Sequence, residues 1–235
     1  MNDSEKTIFE YLQSQNLGTV VYEPDGNVPP DFLVNGRIAV EVRRLNENVE
    51  TAAGHQGLEE ISKPLNALVK KALAAMGPPV ERTSWFVFYT YSRPLPPWRE
   101  LDILLRRALG QVRDQSNLES CEIHITNKMR LRLTPASKVY PYLFILGGSA
   151  DHDSGGFVVA ELAYNIRLCI EEKRSKVLKM KGRYPEWWLA LEDRIAYGAL
   201  DEQDQEHLRQ LIQPDGGWNK IILVNPLNSS IGFEL

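Results

Sequence analysis

Cysteine is scarce in this chain: Cys121 and Cys169 are the two among 235 residues, and neither lies in a CxxC or Cys/His ligand spacing. That excludes a disulfide framework and argues against a structural zinc site, so a reducing, cytoplasmic setting is expected. A basic excess is also missing. The formal net charge is -4, so any nucleic-acid contact has to come from a local patch and not from the whole surface. No uninterrupted apolar run approaches the length that spans a bilayer, and Met1 to Leu17 carries Asp3, Glu5, Lys6 and Glu10, unlike a signal peptide. A soluble protein away from membranes is the expectation. The chain lacks GxSxG, Walker and dinucleotide fingerprints, internal repeats and low-complexity tracts, which disfavours serine hydrolases, nucleotide hydrolases and Rossmann enzymes.

What is present is ordinary globular composition, 43% hydrophobic and 25% charged, and the length suits one α/β domain over 1–235. Ser4 is placed to cap a helix running to about Gln15, with Ile8, Tyr11 and Leu12 at helical spacing. Strands are expected over Thr19 to Glu23 and Asp31 to Val34, the latter closed by the hairpin signal Asn35-Gly36. The segment Arg37 to Arg43 alternates, sending Ile38, Val40 and Val42 to one face and Ala39, Glu41 and Arg43 to the other. A helix from about Gln56 to Met76 and a strand from Trp85 to Tyr91 follow. Beyond these come a helix from Trp98, a hairpin over Cys121 to Leu133, a strand from Tyr142 to Leu146 and a long helix from Phe157 to about Lys181. Trp187 to Leu191 and Lys220 to Val224 read as strands around a helix from Glu202 to Ile212, and Trp187, Trp188 and Trp218 read as core.

Asp31 opens one strand and Glu41 lies in the next, across a short turn, so their carboxylates can converge on the sheet. Mg²⁺ or Mn²⁺ takes oxygen ligands, often one or two carboxylates completed by water and substrate phosphate. Pro30-Asp31, nine residues, then Glu41-Val42-Arg43 resembles the PD-(D/E)xK signature of restriction-endonuclease-like nucleases. The order helix, three strands, helix, strand resembles that core too, over about residues 1–92, with 93–235 extending a mixed sheet and adding C-terminal helices. The resemblance implies a metal-dependent nuclease acting on DNA or RNA phosphodiesters. It assigns metal binding to Asp31 and Glu41, with Glu10 on the preceding helix assisting.

The resemblance expects lysine where Arg43 stands. Arginine cannot act as a base, although its fork can hold a phosphate oxygen or stabilise developing charge. Some family members carry the lysine on a neighbouring helix, which points to Lys63, and Gln56 near that helix's start is placed to position substrate or water. The competing expectation is a nuclease-like fold without catalysis that serves as a binding or scaffold module, which the Arg43 departure favours. A bland reading makes Asp31 a turn residue and Glu41 the partner of Arg43 or Arg44 in an ordinary surface ion pair. Lys128, Arg130 and Arg132, with His124, share the polar face of the expected hairpin and form a candidate strip for nucleic-acid phosphates. The cations from Lys173 to Arg183 read as a favourable helix C-terminus. A homodimer is compatible with all of this, and the segments Tyr184 to Leu191 and Ile221 to Pro226 resemble bacterial proteins without assigning a chemical role.

Overall fold

In the computed structural model, which describes residues 1–51, 54–80, 82–114, 120–214 and 217–235, helices are interspersed among runs of strands along the chain. They begin with α1 (Asp3–Ser14), β1 (Val20–Tyr22), β2 (Phe32–Val34), β3 (Ile38–Leu45), β4 (Asn48–Thr51) and β5 (Gly54–Gly57). Next come α2 (Leu58–Ala74), β6 (Trp85–Tyr91), α3 (Trp98–Arg113), β7 (Cys121–Thr126), β8 (Met129–Pro135) and β9 (Phe144–Asp151). The chain closes with α4 (Val158–Met180), β10 (Glu186–Asp193), α5 (Glu202–Leu211), β11 (Lys220–Val224) and β12 (Gly232–Glu234).

These elements form two compact units: Met1–Asn48 with Gly155–Leu235, and Val49–Ser154, which is inserted in sequence between β3 and α4. The single extended sheet expected from the sequence is therefore replaced by separate sheets of six, two and four strands. The stretch of about 1–92 does not make one core, because α2 and β6 belong to the inserted unit.

In the first unit the sheet order is β1-β2-β3-β10-β11-β12. The Asn35-Gly36 turn forms as its residues dictate: φ is 51° at Asn35 and 64° at Gly36, and the Arg37 N–H donates to the Val34 carbonyl at 3.0 Å. β2 and β3 pair antiparallel from Val34 opposite Ile38 to Phe32 opposite Val40. β3 then runs parallel to β10, Glu41 beside Leu189. Parallel neighbours need a crossover, and here it includes the whole inserted unit plus α4.

The alternation of β3 decides which helix each residue meets. Val40 and Val42, with Trp188, Ala190 and Ile222, pack against Ile8, Tyr11 and Leu12 of α1. Ala39 and Leu45, with Leu189 and Leu191, pack beneath Leu162, Ile166 and Cys169 of α4. From Trp187 to Leu191, β10 is apolar on both faces because both are covered, as a central parallel strand requires, and Trp187, Trp188 and Trp218 are core. α1 is capped by Asn2 through a reciprocal box with Glu5, so Ser4 is free for another task. Its hydroxyl donates at 2.7 Å to the buried Glu192, which also receives Arg194 at 2.7 Å.

The inserted unit has sheet order β7-β8-β6-β9, with β6 antiparallel to β8 and parallel to β9. Val87, Tyr89, Leu131 and Leu133 face Leu65 and Val69 of α2 and Leu101 and Leu105 of α3, forming that unit's own core. α2 starts at Leu58, two residues beyond the expected Gln56, because Gly54–Gly57 pairs with β4 as a short ribbon. Arg93 anchors this unit: it grips Asp151 with two bonds, 2.8 and 2.7 Å, and donates to the Leu58 carbonyl at 3.0 Å.

Candidate functional site

The β2-β3 register, continued one residue beyond Phe32–Val40, sets Asp31 across from Glu41. Because Phe32 and Val40 face α1, the side chains of Asp31 and Glu41 fall on the opposite, α4 side of the sheet. One Asp31 oxygen accepts the Val42 N–H at 2.7 Å, which ties the carboxylate to the adjacent strand. Glu41 is 2% exposed.

A lysine completes this arrangement. Lys173 of α4 donates from Nζ to Glu41 Oε2 at 2.8 Å, and both side chains are largely out of solvent. α4 is held over this face by its apolar residues and by the buried Asn165, whose side-chain oxygen accepts the Asn48 backbone N–H at 3.1 Å just past β3. Lys173 appears in the sequence as one charge in a basic helix end. The signal that singles it out is its position on the helix immediately before the apolar strand β10, the parallel neighbour of β3.

Both carboxyls titrate above the ordinary carboxylate range. For Asp31, burial is the main cause, opposed by the Val42 N–H and by Lys173, with Glu5 and Glu23 pushing the same way as burial. For Glu41, burial again leads, Lys173 pulls down, and the neighbouring Asp31 charge pushes up. Two carboxyls raised by burial, with the Asp31 charge pushing Glu41 further up beside one ammonium, form a site that favours added positive charge. A cavity of about 420 Å³ opens onto this arrangement, lined by Asp31, Lys173, Arg43, Arg44, Ser4 and Glu5 among others.

Of the residues singled out from sequence, Asp31 and Glu41 are brought together and Arg43 lies on the same cavity, its Nε 3.0 Å from Glu172 of α4. Glu10 does not line that cavity; its carboxylate accepts the Ser229 hydroxyl at 2.9 Å, and the α1 acids on the cavity are Asp3 and Glu5. Lys63 lies on α2 of the inserted unit, where it pairs with Glu59 at 2.6 Å. Gln56 sits on β5 of that unit, 3.4 Å from Glu60. Lys128, Arg130 and Arg132 are also in the inserted unit, on the β7-β8 hairpin. The reason for these divisions is the insertion: the helix next in sequence after the Glu41 strand is α2, whereas the helix that packs on the Glu41 face of that strand is α4.

The donor set suits a hard divalent cation: carboxylate oxygens, close together, each destabilised as an anion by burial. Among the described residues no group of three or more His, Cys, Asp or Glu side chains is arranged around one metal position. A two-carboxylate site of this kind takes its remaining ligands from water and substrate.

Fold and site together define a mixed α/β protein whose six-stranded sheet carries a half-buried Asp31 beside a buried Glu41, with a lysine from the helix above against Glu41. Among the described residues, no helix is long and apolar enough to cross a membrane. No family model, curated protein or solved structure matches the chain.

Proposed function

We propose that the chain is a metal-dependent nuclease whose first unit is a restriction-endonuclease-like core, interrupted between its third strand and second helix by the inserted unit. The observation that carries this reading is the placement of half-buried Asp31 and buried Glu41 on one face of the sheet, with Lys173 against Glu41. The order α1, three antiparallel strands, α4 and the parallel β10 supports it, since that is the helix, three strands, helix, strand order with Val49–Ser154 set inside it.

In this reading Asp31 and Glu41 hold Mg²⁺ or Mn²⁺. The ion supplies Lewis-acid stabilisation of the phosphoryl oxygens and lowers the pKa of water. Lys173 takes the part of the motif lysine: its ammonium, fixed by Glu41, orients water or holds a phosphate oxygen of DNA or RNA. Arg43 adds a second cation at the cavity, and its guanidinium fork stabilises negative charge without acting as a base. Asp31, anchored by the Val42 N–H, keeps one oxygen directed by the backbone, which restricts its orientation.

Calorimetric titration with Mn²⁺, alongside cleavage assays on single- and double-stranded DNA and RNA, tests the assignment. Wild type binds Mn²⁺ and cleaves at least one of these substrates; Asp31→Asn and Glu41→Gln lose both properties; Lys173→Met keeps Mn²⁺ binding and loses cleavage. Carboxylate-dependent Mn²⁺ binding without cleavage of any substrate establishes instead a nuclease-like module that binds or scaffolds. Absence of both sinks the metal site.

A further inference from the structure

The inserted unit covers one face of its sheet with α2 and α3, and among the described residues no helix of this unit packs on the other face. Phe86, Phe88 and Thr90 of β6 and Arg130 and Arg132 of β8 alternate with the core residues and so point to that uncovered face. Soluble sheet faces are normally polar, and two phenylalanines at successive outward positions of a central strand break that pattern.

We infer that this face is a binding site for single-stranded nucleic acid, in which Phe88 stacks a base and Lys128, Arg130 and Arg132 meet the phosphates. The inference goes beyond the nuclease reading and stands on the inserted unit alone. Two adjoining hollows carry it. One, of about 350 Å³, is walled by Phe88, Arg132, Gly148 and Ala150. The other, of about 200 Å³, is polar and lined by Lys128, His124, His152, Ser92 and Thr126. Thr90 and Arg130 border both. An aromatic slot beside a cationic polar one matches the division of a nucleotide into base and phosphate.

The Phe88 ring is held flat by its surroundings. A side chain at Gly147 would place Cβ 2.6 Å from Phe88 Cζ, so glycine there lets the ring lie against the β9 backbone. The Arg132 guanidinium sits 5.3 Å from the ring centroid, a cation over an aromatic face. A second such pair, Lys138 over Tyr140 at 5.1 Å, abuts Phe86, whose ring meets Tyr140 edge-on at 5.7 Å.

Charge complementarity favours this occupant. The inserted unit has thirteen Lys and Arg against eleven Asp and Glu, although the whole chain is acidic. Arg130 shares Glu122 at 3.4 Å, but among the described residues no carboxylate is within ion-pair distance of Lys128 or Arg132. A duplex stacks its bases inside and offers a flat aromatic little, whereas an unpaired strand offers its π-faces.

The test is fluorescence anisotropy of the full chain, in EDTA, with labelled oligothymidylate and oligouridylate of about a dozen nucleotides, a length within the usual site sizes. Both single strands bind, and a duplex of equal length binds at least about tenfold more weakly. Three phosphate contacts give a slope of log affinity against log salt of about -2. The triple variant Lys128→Ala, Arg130→Ala, Arg132→Ala flattens it. Phe88→Leu weakens binding about tenfold, and Phe88→Tyr, which keeps the π-face, restores it; melting curves of both check that the unit is folded. Glu41→Gln, which addresses the carboxylate pair, abolishes cleavage and leaves this binding in place, so the two proposals fail separately. The relative affinity for the two oligonucleotides tells DNA from RNA. Equal loss in Phe88→Leu and Phe88→Tyr, tighter binding of duplex, or binding to anionic vesicles with none to either oligonucleotide overturns the inference.

Discussion

Replacing Lys173 by methionine keeps the reach of the side chain and removes its charge. Glu41, whose side chain is 3% exposed, then loses the ammonium at 2.8 Å. Removing one partner of a buried pair costs about 3–5 kcal/mol. The lower end applies, because Lys173 keeps 13% of its side chain in solvent and Lys176 also acts on Glu41. The expected loss is about 3 kcal/mol at pH 8 in EDTA. Its pH dependence has a definite sign. The Glu41 carboxyl already titrates high, chiefly through burial, and loss of Lys173 moves it higher. Between the unfolded and folded pKa values the native state then binds a proton that the unfolded chain does not, so stability falls as pH rises through that window. The penalty is therefore full above the folded pKa of the variant and fades as pH falls through that window toward the unfolded value. Urea unfolding of wild type, Lys173→Met, Glu41→Gln and the double variant at pH 8 and pH 4 measures this. The double variant should cost less than the sum of the singles by about 1.5 kcal/mol or more. A Lys173→Met penalty under about 0.5 kcal/mol, an unchanged penalty at pH 4, or strict additivity refutes the buried pair.

The same carboxyls predict how metal binding titrates. Since burial raises both Asp31 and Glu41 and an ion needs them charged, Mn²⁺ affinity followed by calorimetry should decline on acidification while ordinary carboxylates, near pH 4, are still ionised. In the inserted unit, burial pushes the Asp151 carboxyl up, but Arg93, Tyr91 and the Asp153 N–H outweigh it and hold it low. That contribution is present above the unfolded carboxylate pKa and lost as pH falls through the folded value; Arg93→Met should cost about 3 kcal/mol at pH 7 and unfold with less acid dependence than wild type in pH-resolved urea melts. Burial pushes the Cys169 thiol up to about 12. It should resist alkylation at pH 8 until the first unit unfolds, which mass spectrometry of iodoacetamide-treated protein along a urea series would follow.

Local periodicity made much of the first unit legible. The alternation from Ile38 to Arg43, the Asn35-Gly36 turn and the shared face of Asp31 and Glu41 follow from residues within about ten positions of each other, where strand geometry leaves little freedom. The apolar run Trp187 to Leu191 is readable as a buried strand for the same reason. Less legible was the identity of the helix cap, because Asn2 and Ser4 are both competent and only the buried Glu192 on β10 decides which is used. The partner of β3 was not legible. Trp85 to Tyr91 and Trp187 to Leu191 are equally good strands by composition, and choosing β10 depends on pairing residues about 150 positions apart.

By itself, then, the amino-acid order determined that two acids face each other across a turn, that the chain is mixed α/β, and that Lys128, Arg130 and Arg132 share one side of a hairpin. Only the tertiary structure decided that α4 and not α2 covers those acids, that Lys173 meets Glu41, and that Arg130 and Arg132 lie beside Phe88. The physical reason is that strand and turn preferences are set by neighbours along the chain. Which helix packs on a sheet face is set by burial of apolar surface between segments that the chain can separate by any length of inserted structure.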